Sequence, residues 1–76
     1  MTEEERRKEI IAEFVQMRRD KGLTQKQLEE LSGVKQPIIA RMEAGTTSPR
    51  LSTLIKLLTP LGKTLRVEDI PSSTPV

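Results

Sequence analysis

One stretch limits this chain more than any other: Gln25 to Glu43, QKQLEELSGVKQPIIARME. Two short runs with helical spacing flank Gly33. Leu28 and Leu31 stand i, i+3 on the first, and Ile39 and Met42 stand i, i+3 on the second, so each run carries one apolar stripe. Ser32-Gly33-Val34 leaves room only for a tight turn, with Gly33 free to take positive φ and Val34 expected to plug the corner. The sequence therefore predicts two helices meeting at a steep angle. Lys35-Gln36-Pro37 opens the second of them, which places long polar side chains where they can point out of the fold.

The remaining elements follow from local signals. Thr2 and Glu5 have the spacing of a capping box, and Glu3, Glu4 and Glu5 suit the positive end of a helix dipole. Glu3/Arg7 and Glu4/Lys8 are i, i+4 pairs on what reads as a solvated face. The apolar stripe of this first helix is Ile10, Ile11, Phe14, Val15 and Met17, and Gly22 ends it. Thr24 and Gln27 form a second capping box, with Leu23 and Leu28 as its hydrophobic staple. The third helix is expected from about residue 36 to 44, where Pro37 has no intrahelical hydrogen bond to lose. Ser48 is expected as the cap of a fourth helix with Pro49 at its first position. Leu51, Leu54, Ile55, Leu57 and Leu58 would form its apolar stripe, and Pro60 and Gly62 finish it. Beyond Gly62 the period changes: Leu65 and Val67 alternate with Thr64, Arg66 and Glu68, as in a half-buried strand. A single strand has unpaired edges, so Leu65–Val67 is expected to pair with a second copy or with a partner's sheet. Residues 71–76, PSSTPV, read as a disordered polar tail after a domain of residues 1–70.

The expected fold class is thus all-α, four helices with a short C-terminal β-strand. Seventy-six residues hold one small core, and with 34% hydrophobic residues and Phe14 as the only aromatic that core must be aliphatic. So small a core contributes little net stability, which favours dimerisation. Cysteine is absent, no apolar run reaches the roughly 18 residues of a membrane span, and the N-terminus is charged, so a cytoplasmic protein is expected. A net charge of +2 and a pI near 9.3 are mildly basic and say little alone about a nucleic-acid partner.

Catalysis finds no footing. Without His or Cys, the common metal sites and nucleophile–imidazole pairs are excluded, and no cofactor or metal is expected. Adjacent acids such as Glu29/Glu30 point apart on a helix, and the glycines form no phosphate cradle. DNA recognition fares better. Two helices bent at a short turn form a helix-turn-helix, whose second helix enters the major groove. Gln36 can contact adenine N6/N7 in bidentate fashion, Arg41 can read guanine or hold phosphate, and Pro37 and Ile38 can touch a thymine methyl. Ile38 has an equal reading as a core or dimer contact, and Arg41 outside the motif would read as a solvated charge. The start of the second helix, Thr24, Gln25 and Lys26, offers free N–H groups and an amide to a phosphate; in the blander reading Thr24 and Gln27 only cap. Lys35 is expected on the DNA backbone.

Leu23-Thr24-Gln25-Lys26-Gln27-Leu28 followed by Ser32-Gly33-Val34, Ile39, Met42, Glu43 and Gly45 resembles the phage-repressor/Cro-type helix-turn-helix family, called XRE, from about Phe14 to Leu58. The resemblance implies DNA contacts by Gln25, Lys35, Gln36 and Arg41, and phosphate near the loop that carries Thr46, Thr47 and Arg50. It also implies a structural ion pair between Arg18 and Glu43. The family usually has a small residue at the place of Glu29, where the helices cross; a glutamate there must lie along the surface. The function implied is a homodimeric, sequence-specific regulator, most often a repressor, bound to an inverted repeat of double-stranded DNA. Gly62 to Val67 after the motif is similar to antitoxins of the host-inhibition-of-growth type, which implies as an alternative that the chain neutralises an RNA-cleaving toxin and represses its own operon. A third reading is a protein-interaction adaptor that has lost DNA binding.

Overall fold

The computed structural model describes residues 1–70, in the order α1 (Glu3–Asp20), α2 (Gln25–Ser32), α3 (Gln36–Glu43) and α4 (Leu51–Leu58), with a 3-10 turn at Thr59–Leu61. The tail expected at residues 71–76 lies outside the described residues. Local chemistry sets both starts that the capping boxes foretold. Thr2 Oγ1 accepts the Glu5 N–H at 3.1 Å while Glu5 accepts the Thr2 N–H at 3.3 Å. Thr24 and Gln27 repeat the exchange at 3.0 and 2.9 Å. Such reciprocal caps satisfy donors that a helix start otherwise leaves open.

Phe14 and Ile11 from α1, Leu28 from α2, Ile39 and Met42 from α3, and Leu57 and Leu58 from α4 form one buried cluster, closed by Val34 at the corner. Gly33 makes that corner with φ +80°. A Cβ there would meet nothing within 4 Å, so the demand for glycine is one of backbone conformation and not of space. Leu61, on the 3-10 turn, is also buried, and its place in the core was not foreseen. Thr59 and Pro60 bend the chain tightly enough to fold Leu61 back under α2, and Gly62 then exits left-handed at φ +73°.

Four expectations need correction. Leu31 is 59% exposed and Leu51 65% exposed, so neither belongs to the core, and Ile55 also faces outward. An i, i+3 or i, i+4 partner places a residue on a stripe, but an eight-residue helix packed on one side covers only part of a broad stripe. Ser48 does not cap α4: its hydroxyl accepts from Arg7 Nη1 at 2.7 Å. The helix begins two residues later, after an extended Arg50 that makes no side-chain cap. Ala44 likewise lies outside α3, as its C-cap. No strand forms among the described residues. Lys63 to Ile70 is irregular, and the side chain of Val67 is fully exposed. Backbone pairing needs a second edge, and the described residues of one copy present none.

Candidate nucleic-acid interface

Three helices converge on a chain of polar contacts that ends at the first residue of α3. Arg18, near the end of α1, is buried and meets Glu43 at the end of α3 through two parallel bonds, Nε to Oε2 at 2.8 Å and Nη2 to Oε1 at 2.9 Å. Its third donor, Nη1, binds the Leu23 carbonyl at 2.7 Å and so ties the α1–α2 turn to the same group. Side-chain exposure is 10% for Arg18 and 8% for Glu43. Burial alone pushes the Glu43 carboxyl up, but hydrogen bonds from Arg18 and Gln25 and the charges of Arg18 and Arg19 outweigh it, and the group lies below its ordinary value. The bond from Glu43 in turn raises Arg18. Forked Arg–carboxylate geometry of this kind is both strong and directional.

The next link converts an ion pair into an oriented amide. Gln25, the first residue of α2, donates from Nε2 to Glu43 Oε1 at 2.9 Å. A carboxylate only accepts, so the Gln25 amide must present its oxygen on the other side. There Gln36 Nε2 donates to Gln25 Oε1 at 2.8 Å. Gln36 is thereby left with an unspent oxygen and one unspent N–H. The bond also joins the first residues of α2 and α3, so both helix starts open on the same side of the molecule.

The two starts differ. Pro37 has no N–H, the N–H groups of Ile38 and Ile39 both reach the Lys35 carbonyl, at 2.9 and 3.2 Å, and the Gln36 N–H reaches Glu29 Oε1 at 2.8 Å. The first turn of α3 is therefore fully satisfied, although Lys35, its N-cap, offers no accepting side chain. In α2 the Thr24 box accounts for Gln27, while Gln25 and Lys26 keep backbone N–H groups with no intrahelical partner.

Around these starts the side chains named from the sequence take distinct positions. Pro37 and Arg41 are exposed on α3, and Arg41 makes no ion pair among the described residues. Gln36 and Gln25 are half-buried, as their mutual bond requires. Thr24, Lys26 and Lys35 are exposed, and Lys26 Nζ lies 3.4 Å from Glu29 Oε1. Thr46, Thr47 and Arg50 are exposed on the following loop. Thr46 binds the Arg41 carbonyl through both its N–H and its hydroxyl, each at 3.0 Å, which ties that loop to α3.

Glu29 makes a contact with α3 that the sequence does not foretell. It was expected to lie along the surface, yet its side chain is only 17% exposed and its carboxylate caps α3 from outside the helix. That hydrogen bond from the Gln36 N–H, with smaller effects of Lys26 and Lys35 set against partial burial, lowers its pKa. The available signal was the lysine at the N-cap of a helix that had to find an acceptor elsewhere.

Comparison with known proteins agrees with this geometry. A helix-turn-helix family model matches residues 15–67. The chain belongs to the XRE-type helix-turn-helix family. It is 60% identical over 58 residues to an uncharacterised HTH-type transcriptional regulator of Haemophilus influenzae, covering 76% of this chain and 59% of that protein. It is 39% identical over 56 residues to the HTH-type regulator y4dJ of Sinorhizobium fredii, covering 74% of this chain and 73% of the relative. The chain thus spans less than two thirds of the Haemophilus protein. Among solved structures, a chain of a toxin–antitoxin module from Streptococcus pneumoniae matches with a TM-score of 0.72 and 49% identity, over 96% of this chain and 84% of the other. No helix among the described residues is long and apolar enough to cross a membrane.

Proposed function

We propose that this chain is a sequence-specific DNA-binding transcriptional regulator that acts as a homodimer, with α3 in the major groove of each half of an inverted repeat. The observation that carries the reading is the Gln25–Gln36 bond. It holds the Gln36 amide with one acceptor and one donor unspent, which is the pair that adenine N6 and N7 require. Gln36, Pro37 and Arg41 read bases in this proposal. Thr24, Gln25 and Lys26 at the start of α2, Lys35, and Thr46, Thr47 and Arg50 on the loop hold phosphates and set the register of the protein on the duplex. In a dimer of this kind two recognition helices lie about 34–36 Å apart, one helical turn of DNA.

The test is selection of bound sites from random duplex DNA, followed by Gln36→Ala. The substitution should cost roughly 1–3 kcal/mol and relax one base position in each half-site. Selected sites that bind the parent and Gln36→Ala equally at every base would remove the glutamine from this role.

A second reading adds a protein partner, and the likeness to a toxin–antitoxin module favours it. Here the chain is an antitoxin that neutralises an RNA-cleaving toxin and represses its own operon. Leu65, Val67 and Ile70 support a pairing role, because they are exposed apolar side chains on a segment with no backbone partner among the described residues. Leu65–Val67 would pair with the same segment of a second copy. Sedimentation that finds only monomer at high concentration would rule out that pairing. Co-expression with the product of the adjacent gene, followed by co-purification, decides whether a toxin is held.

A further inference from the structure

Glu29 stands between two groups that a DNA phosphate would otherwise use. Its Oε1 takes the Gln36 N–H at 2.8 Å and faces Lys26 Nζ at 3.4 Å. The start of α3 consequently has no free backbone donor and has a carboxylate against it, while the start of α2 keeps two unpartnered N–H groups. A phosphate approaching α3 meets a carboxylate, and one that recruits Lys26 must draw it away from that carboxylate. Like charges a few ångströms apart repel even in water, and more so beside a low-dielectric protein surface.

We propose that Glu29 positions the protein on DNA by keeping phosphate from the backbone N–H at the start of α3 and restraining Lys26, so that the DNA backbone seats on the free N–H groups of α2, the exposed Lys35 reaches its phosphate outside the helix, and the first turn of α3 is left to the bases. The inference rests on the DNA-binding reading above. It gives a role to a carboxylate whose side chain is only 17% exposed and which caps a helix other than its own. Neutral glutamine can keep the hydrogen bond to Gln36 through its oxygen while losing the charge. The two effects of the residue, capping and repulsion, are therefore separable.

The experiment measures binding of the full chain to a mixed-sequence duplex across a salt series, for the parent, Glu29→Gln, Lys26→Met and the double variant, with helical content checked by circular dichroism. Glu29→Gln is expected to bind mixed-sequence duplex at least about threefold more tightly than the parent. Its plot of log affinity against log salt should steepen by about one, because one more lysine is free to neutralise a phosphate. Lys26→Met should abolish most of that gain in the double variant, and cost less in the parent than in the Glu29→Gln background. A merely structural glutamate would move neither the salt slope nor the coupling to Lys26. If Glu29→Gln keeps the parent's affinity and slope, or if Lys26→Met costs the same in both backgrounds, the inference fails while the DNA-binding reading stands. A parent that binds no duplex at low salt overturns both.

Discussion

Glu43 and Glu29 each tie α3 to a neighbouring helix, and they do so under opposite conditions. Glu43 is shut away with Arg18, receives two bonds from one guanidinium and a third from Gln25, and has its burial compensated. Glu29 lies at the edge of the fold, receives one backbone N–H, and meets an exposed lysine whose own geometry is loose. The comparison separates two uses of a carboxylate. Enclosed and forked, it fixes how helices sit and is costly to break. Half open, it contributes little to stability and stays within reach of solvent.

The largest expected effect tests the enclosed site. Arg18→Ala leaves Glu43 charged, buried and short of partners, and should destabilise the chain by about 3–5 kcal/mol in denaturant unfolding. A loss no greater than that of an exposed pair would erase the distinction between the two sites. Next comes Gln25→Leu, which removes the link between Glu43 and Gln36 without touching the ion pair. It should cost roughly 1–3 kcal/mol in unfolding, because polar atoms on both sides lose a partner. It should also weaken binding to selected DNA beyond that stability loss, since Gln36 is no longer held. Thr24→Ala removes one cap on the exposed side and should cost about 1 kcal/mol by thermal or chemical unfolding.

The smallest effect is a difference of slopes with pH. Both carboxyls lie below their ordinary value of 4.5, so each contributes stability that is fully present above that value and lost as pH falls through the lowered one. The bond from Glu43 raises Arg18 above its ordinary value, so the guanidinium stays charged and its contribution persists throughout the acid range. Unfolding measured from neutral pH downward should therefore show stability declining below 4.5 in the parent. Glu43→Gln should flatten that decline more than Glu29→Gln does, because the outer carboxylate is screened by water. Equal flattening would mean that the two sites are less different than their surroundings suggest.

Much of the frame of the candidate site could be read from residues in order. Thr24, Gln27, Gly33 and Val34 placed the corner, and with it the start of α3, because each acts on neighbours only a few positions away. Gln36 and Arg41 followed as side chains on the second helix. What could not be read was the state of Gln36, half-buried and held by Gln25, since that bond spans eleven positions and depends on Glu43 orienting the intermediate amide. Leu31 and Leu51 show the same limit in the core. Their spacing is that of buried leucines, and only the position of the neighbouring helices leaves them in solvent.

The sequence by itself determined where α1, α2 and α3 begin and where the chain turns between α2 and α3, because caps and left-handed glycines are contests among adjacent backbone groups. Only the tertiary structure decided which leucines are covered, that Ser48 answers Arg7 and not α4, and that Glu29 closes the start of α3 in place of that helix's own N-cap. Those outcomes turn on groups brought together across the fold, where geometry, and not residue type, chooses the partner.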